Sequence, residues 1–354
     1  MARPIVSVLI DTYNHERFIE QAVLSVLEQD FPASDREILV VDDGSQDRTP
    51  EIAARFAPQV RLLRKANGGQ ASAFNAGIPE CQGEIVAFLD GDDWWVPGKL
   101  KLVVAAFSEN PEVGMVGHGT THVFTDGSQF TEVIEAAPRF SLASLDGAKL
   151  FLTRRSFLGT RMCVRTLILR KILPVPEMIR IEADEFVFTM AAALSDVLIL
   201  PESLFFYRIH TQNHFSLHGF DPASVRRKQQ SLDCLAEQLN IRLRAINSPD
   251  EVVRLIVEAI SVEANQLRLS LGDGFPWETV KTELAFYRIL HGDAPRSHRA
   301  FKYATLLPAF LLPPRWFYGA RRWLGSSELY RRTRRIFFPP PQPGHVRRFW
   351  NANP

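Results

Sequence analysis

The sequence predicts an α/β fold: a mostly parallel sheet flanked by helices, followed by a helical C-terminal region. Three observations carry this. Residues 1–100 alternate short apolar runs with helical periodicity in the order βαβαβαβ, which implies a parallel sheet with right-handed crossovers. The strand runs are nearly all apolar rather than alternating, as strands covered on both faces require. Polar clusters follow all four runs, at Asp11-Thr12, Asp42-Asp43, Asn67-Gly68 and Asp90-Gly91-Asp92-Asp93. Open α/β sheets bind ligands along that edge.

Residues 5–10 make the first strand, stopped by Asp11-Thr12-Tyr13-Asn14. Phe18, Ile19, Ala22, Val23, Val26 and Leu27 recur at helical spacing and predict a helix over 18–27. Ile38-Leu39-Val40-Val41 carries a second strand over 37–41, which ends at Asp42-Asp43-Gly44-Ser45. Residues 49–56 read as a helix with Pro50 tolerated in its first turn. A third strand over 60–63 runs into Asn67-Gly68-Gly69, a short helix covers 70–78, and 84–89 is the fourth strand.

That fourth strand ends in three carboxylates within four residues. They repel one another, and packing alone gives no reason to put them there. A cation lowers the cost: Asp90 and Asp92 offer hard oxygen ligands to Mg²⁺ or Mn²⁺, which in turn hold a diphosphate. A polar turn, with Asp side chains capping backbone groups around Gly91, accounts for the same residues. A calcium loop of the EF-hand kind fits less well, because Trp94 stands where a third oxygen ligand belongs.

After residue 100 the pattern is mixed. Strands are expected over 113–116 and 122–124, a turn at Asp126-Gly127, and a helix over 145–152. A helix over 181–194 opens with Glu182-Ala183-Asp184-Glu185, and strands over 197–200 and 204–207 lead to Arg208-Ile209-His210-Thr211-Gln212-Asn213. Residues 222–290 are helical, with Leu232, Leu235, Ala236 and Leu239 on one face. From 301 the chain is aromatic, proline-interrupted and basic.

A chain of 354 residues buries one large core, or one core plus a smaller helical part. The net charge of +1 does not point to nucleic acid. Charge is uneven, however: from Arg315 onward nine Arg face a single acid, Glu328, while the rest holds 32 basic and 39 acidic residues. Such asymmetry asks for a partner. Cys81, Cys163 and Cys234 fit neither a zinc pattern nor a disulfide framework, which suggests a reducing compartment. Asp11 cuts short any apolar signal core at the N-terminus. No run reaches the roughly 18–20 apolar residues of a membrane span; residues 303–314 come nearest and hold three prolines. Neither GxGxxG after the first strand nor GxxxxGK[ST] is present.

Four segments, VSVLIDTYNHERFIEQAVLSVLEQ from Val6, VVDDGSQDRT from Val40, NGGQASAFNAG from Asn67 and GEIVAFLDGDD from Gly83, resemble the family 2 inverting glycosyltransferases, which have the GT-A fold. A weaker fifth, with ADEFVFTMAAAL and FYRIHTQN, lies within 183–213. The resemblance implies a metal-dependent hexosyltransferase, moving a sugar from a nucleotide-diphosphate sugar to an acceptor hydroxyl in polysaccharide or glycolipid assembly. It implies that Asp11, Thr12, Tyr13, Asp43 and Asn67 bind the donor, that Asp90 and Asp92 are the DxD motif holding Mn²⁺ or Mg²⁺, that Asp184 is the base, and that His210 is a further metal ligand. The family often has Pro where Asp11 stands, and many members have Arg where Phe74 stands, so Arg208 or Lys65 is expected to supply the cation near the diphosphate.

From residue type alone, Asp184 is also a favoured first-turn acid, and His210 a hydrogen-bonded structural histidine. Trp94 and Trp95 suit a sugar face or a core equally. A processive synthase is disfavoured because Leu312 stands where its Gln-x-x-Arg-Trp segment needs Gln. A sugar nucleotidyltransferase would need a Gly-rich N-terminal loop. The remaining alternative is an inactive nucleotide-sugar or carbohydrate-binding scaffold. The expected organisation is a catalytic domain over 1–218 (nucleotide-binding half 1–100, acceptor-side half 101–218), a helical region over 219–300 and a basic aromatic tail over 301–354. Expected partners are the donor, a glycan or lipid-linked acceptor, and an anionic membrane surface reached through the tail, at the cytoplasmic face.

Overall fold

A computed structural model describes residues 4–132, 134, 136–210, 221–292 and 295–326, without the side chains of 297, 298, 301 and 322–326. Thr211-Gln212-Asn213 and the tail beyond 326, with its expected lipid-facing Tyr330, Phe337 and Phe338, lie outside the described residues. The chain divides into two compact units, one of Met1–Ala143 with Arg154–His210 and one of Ser144–Thr153 with Thr211–Pro354.

The first unit holds a sheet of β1 (Val6–Thr12), β2 (Arg36–Asp42), β3 (Arg61–Arg64), β4 (Ile85–Asp90), β5 (Trp94–Trp95), β6 (Val113–Val123), β7 (Gln129–Glu132), β8 (Arg139–Phe140), β9 (Cys163–Arg165) and β10 (Asp196–Arg208). Their order is β3-β2-β1-β4-β9-β6-β10-β5, with β7 beside β6 and β8 beside β10. The strands β3, β2, β1 and β4 are mutually parallel, and β6 and β10 run parallel beyond an antiparallel β9. The sheet is mostly parallel and mixed. Its first four strands fall where the apolar runs predict them.

The main departures from the sequence reading among the strands begin after β4. The strand β6 is continuous where two short strands are expected. Gly117, His118, Gly119 and Thr120 break its apolar pattern, yet all are buried between neighbouring strands. Likewise β10 runs through Pro201-Glu202-Ser203, which shifts of register absorb. The three-residue β9 and two-residue β5 are too short to show periodicity.

Helices α1 (Ile19–Leu27), α2 (Thr49–Ala54), α3 (Gln70–Gly77) and α4 (Lys99–Glu109) cover the parallel strands. Ile19, Ala22, Val23 and Val26 of α1 and Leu100, Val103 and Phe107 of α4 join Val8, Ile10, Val40, Ala87 and Leu89 in one core. Phe74, where many relatives are expected to carry Arg, is fully buried edge-on against Phe88 at 5.1 Å. Beyond α5 (Leu145–Arg154) come α6 (Thr166–Ile172) and α7 (Ala183–Leu194).

The second unit is helical: α8 (Pro222–Ala245), α9 (Asp250–Ser270), α10 (Pro276–His291), α11 (Arg296–Ala304) and α12 (Pro314–Ser326), with a 3₁₀ turn at Leu307–Phe310. The helical region over 222–290 is thus three helices, and its breaks carry positive φ at Asn247, Gly272 and Gly274. Asp221 caps α8 by accepting the Ala223 and Ser224 amides. Glu283 is fully buried in this unit and accepts Gln266 Nε2 at 2.8 Å, the Tyr318 hydroxyl at 3.0 Å and Arg321 Nη1 at 2.6 Å. Replacing it by Ala leaves Arg321 facing no anion there. Glu283→Ala is expected to cost about 3–5 kcal/mol, read as a lower midpoint in thermal denaturation; an unchanged midpoint contradicts the network.

Candidate active site

The carboxyl edge of the parallel strands is laced into one surface by backbone bonds. In the β1–β4 register Asp11 stands beside Asp90, and the Gly91 amide donates to the Asp11 carbonyl at 2.9 Å. The Asp43 amide donates to the Thr12 carbonyl at 2.9 Å. Asn14, at φ 56, donates its amide to Ser45 Oγ at 2.9 Å and accepts the Gln46 amide at 2.8 Å. These bonds fix the loops after β1, β2 and β4 against one another. Tyr13 lies half-buried among them.

Gly91 is required by close approach. A Cβ there would stand 2.4 Å from Thr12 Oγ1 and 2.9 Å from His15 Nδ1. Overpacking of this kind costs about 1–3 kcal/mol. Gly91→Ala is therefore expected to lower the melting temperature and to displace Asp90 and Asp92 together, so ligand affinity at the site falls with it.

The turn after β4 gathers its carboxylates: one oxygen each from Asp90, Asp92 and Asp93 lies within 4.8 Å of the others. Asp90 Oδ2 accepts the Thr160 hydroxyl at 2.7 Å. Asp92 Oδ2 is 3.1 Å from His210 Nε2 and 3.8 Å from His15 Nε2. Asp93 Oδ1 accepts the Arg208 amide at 2.7 Å, while its Oδ2 is buried with no hydrogen-bond partner among the described residues. Burial, then the charge of Asp92, pushes Asp90 up to about 7. Burial and the same neighbours raise Asp93 well above the usual carboxylate range, and burial with Asp90 raises Asp11. Burial works against Asp92 too, but the His210 hydrogen bond and the charges of His15 and His210 outweigh it and hold that carboxyl low. Hard oxygen donors held close and mutually repelling, one of them the unsatisfied Asp93 Oδ2, fit a Mg²⁺ or Mn²⁺ ion. The sequence pattern names Asp90, Asp92 and His210 for this; the geometry adds Asp93.

Arg208 braces the turn rather than reaching outward. Its Nε donates to the Asp92 carbonyl at 2.9 Å and its Nη2 to Gln21 Oε1 at 2.5 Å. Its guanidinium lies 4.8 Å over Phe18 and 4.4 Å over Trp94. Trp94 also stacks on Phe206 at 4.9 Å, and Trp95 is buried. Both tryptophans therefore pack against protein groups. Asp43 is similarly engaged: it accepts Lys65 Nζ at 2.6 Å, the Gly68 amide at 3.0 Å and the Gly69 amide at 2.7 Å. Asn67 Nδ2 donates to the Asp43 carbonyl at 3.0 Å. The Asn67-Gly68-Gly69 loop is shaped around that carboxylate, and Lys65 is spent on it.

Asp184 sits in the first turn of α7, after Glu182 at φ 69. The turn is pinned by Gln70 Oε1, which accepts the Ala183 amide at 3.1 Å. Asp184 Oδ1 is buried without a hydrogen-bond partner among the described residues. Burial, then Glu182 and Asp90, raise its pKa well above the usual range. Glu185 is paired with Arg155. A Cβ on Gly159 would stand 3.2 Å from Asp184 Oδ2, and the next residue, Thr160, binds Asp90. The Gly159–Arg161 turn thus connects the two acidic groups, and Arg161 offsets the charge on Asp90 and Asp93. Sequence reasoning misses Thr160, Arg161 and His15. No spacing signals the first two, and His15 is hidden inside a helix-entry segment.

A family model described as Glycosyl transferase family 2 matches residues 7–172. An uncharacterized glycosyltransferase of Nostoc sp. is 34% identical over 249 residues, which span 66% of this chain and 74% of that protein. The crystal structure of S. aureus TarS 1–349 in complex with UDP-GlcNAc is similar in fold, with a TM-score of 0.57 at 20% identity, covering 86% of this chain and 91% of that one. The mannosyltransferase PcManGT from Pyrobaculum calidifontis, in complex with GDP-Man and Mn²⁺, has a TM-score of 0.53 at 20% identity and covers 94% and 84% respectively.

Proposed function

The chain belongs to glycosyl transferase family 2, and on that premise we propose that it moves a hexose from a nucleotide-diphosphate sugar to an acceptor hydroxyl with inversion, in polysaccharide or glycolipid assembly. One observation carries the reading. A buried carboxylate, Asp184, whose Oδ1 has no hydrogen-bond partner among the described residues, lies in the electrostatic field of Asp90, a member of a tight group of hard oxygen ligands with Asp92 and Asp93. Sugar transfer needs both a stabilised diphosphate leaving group and a deprotonated acceptor.

Asp90 and Asp92 would hold Mn²⁺ or Mg²⁺ with His210 and Asp93 beside them, and such an ion supplies positive charge to a departing diphosphate. The similar mannosyltransferase structure carries Mn²⁺ with GDP-Man, which supports this donor chemistry. Asp11, Thr12 and Tyr13 line the nucleoside end. Asp43 contributes through the loop it organises, presenting Asn67 and the Gly68 and Gly69 backbone. Arg208 contributes by bracing the acidic turn. Asp184 takes the acceptor proton as the hydroxyl oxygen attacks the anomeric carbon, a role worth about 10²–10⁴-fold. The three free thiols suit a cytoplasmic setting, where nucleotide sugars are made.

An inactive scaffold would bind the donor without breaking it. A donor-hydrolysis assay of UDP-, GDP- and dTDP-sugars with Mn²⁺ separates the two: release of the nucleoside diphosphate from one donor is expected, and binding with no release from any donor or acceptor mixture supports the scaffold.

A further inference from the structure

The second unit carries an apolar and cationic face that sugar transfer does not use. Residues 294–327 hold no Asp or Glu, and six basic residues, Arg296, Arg299, Lys302, Arg315, Arg321 and Arg322. The fold divides the apolar residues of this segment between two sides. Leu306, Ala309, Phe317 and Tyr318 turn inward and pack with Val262, Leu269, Val280 and Phe286. Leu307, Phe310, Leu311 and Trp316 turn outward; Leu311 is 84% exposed and Leu307 66%. In a 3₁₀ turn side chains at i and i+3 eclipse, so Leu307 and Phe310 project together, with Leu311 beside them. Arg315 is exposed next to Trp316 and lies against Gly272. Arg321 is drawn inward, to Glu283, Arg299 donates to the Gly292 carbonyl at 3.2 Å, and Lys302 lies over the Tyr287 ring.

We propose that this face seats on an anionic lipid bilayer, with Leu307, Phe310, Leu311 and Trp316 in the headgroup boundary and the basic residues against lipid charge. Charge complementarity selects the occupant. A second copy of the chain would bring another acid-free basic strip against the first, so the face repels itself. Apolar side chains flanked by cations, with aromatic residues at their border, match an interfacial element lying in the membrane plane. No helix among the described residues is long and apolar enough to cross a membrane. The basic tail beyond 326, with Arg331, Arg332, Arg334 and Arg335, continues the same sign of charge. This inference is independent of the sugar-transfer reading.

Sedimentation of the full chain with vesicles tests it. Vesicles of phosphatidylglycerol with phosphatidylcholine are compared with phosphatidylcholine alone, at low and high salt. Wild-type protein is expected to pellet with the anionic vesicles and to be released by salt. The triple variant L307E/F310E/L311E alters exposed positions only, so its melting temperature and donor hydrolysis should match wild type. Its partitioning is expected to fall at least about tenfold, and Arg315→Gln alone to lower it about fivefold. Equal pelleting of the triple variant and wild type, or no pelleting of wild type with anionic vesicles, overturns the proposal. So does a shift from dimer to monomer in the variant without lipid binding, which would assign the face to a second copy. Binding only to an acidic protein, with no lipid response, overturns it as well.

Discussion

Asp184→Asn is expected to bind donor as tightly as wild type and to transfer sugar about 10²–10⁴-fold more slowly. The substitution keeps the shape of the side chain and removes only its capacity to take a proton. The Ala183 amide stays bound to Gln70, so the turn that carries residue 184 is unaffected. Its second effect has the opposite sign. The fold disfavours the ionised form of Asp184, through burial first and then Glu182 and Asp90. A neutral amide removes that penalty, so the variant is expected to melt at or above the wild-type temperature. Stability gained with activity lost marks a group held for chemistry rather than packing. If the variant transfers sugar at near wild-type rate, the base is elsewhere. Glu182 then becomes the candidate, since Glu185 is neutralised by Arg155.

Asp92→Ala is expected to abolish the effect of divalent ions on nucleotide binding, weakening affinity in Mn²⁺ at least about 100-fold. Asp92 is the carboxylate of the turn held in its charged form, by His210 at 3.1 Å and His15 at 3.8 Å. Removing it takes away the anion that both imidazoles face. The fold should survive, because the residue stands in a turn beyond β4 and its backbone carbonyl still receives Arg208. Thermal shift with UDP- and GDP-sugars reads the result. A nucleotide-dependent rise in melting temperature equal to that of wild type would show that the ion is held elsewhere.

The half of the sheet that carries the donor edge is legible in the sequence for a physical reason. Strands covered on both faces must be apolar throughout, so Val40-Val41 and Phe88-Leu89 leave runs that stop sharply at Asp42 and Asp90, where the polar edge of the sheet begins. The acidic turn is legible because three neighbouring carboxylates at the end of a buried strand have no packing rationale. The other half hides itself. His118 and Thr120 are buried in β6, and polar residues inside a strand erase the apolar signal. What each site residue touches is also invisible in one dimension. Asp43 falls in a recognisable segment, but only the fold brings Lys65, Gly68 and Gly69 onto its oxygens. Arg208 reads as a cation for phosphate; in space it is sandwiched between Phe18 and Trp94. The tail shows the same limit. Its aromatic residues look alike in sequence, yet Phe317 is buried and Trp316 exposed.

Calorimetric titration of nucleoside diphosphates and their sugars into the wild-type protein, in Mn²⁺ and again in EDTA, tests the central claim most directly. The claim is that Asp90, Asp92 and Asp93 form a divalent-ion-dependent diphosphate site. Saturable binding of at least one UDP, GDP or dTDP ligand in Mn²⁺, lost in EDTA, is the predicted result. Binding of equal strength in EDTA, or none in either buffer, contradicts it.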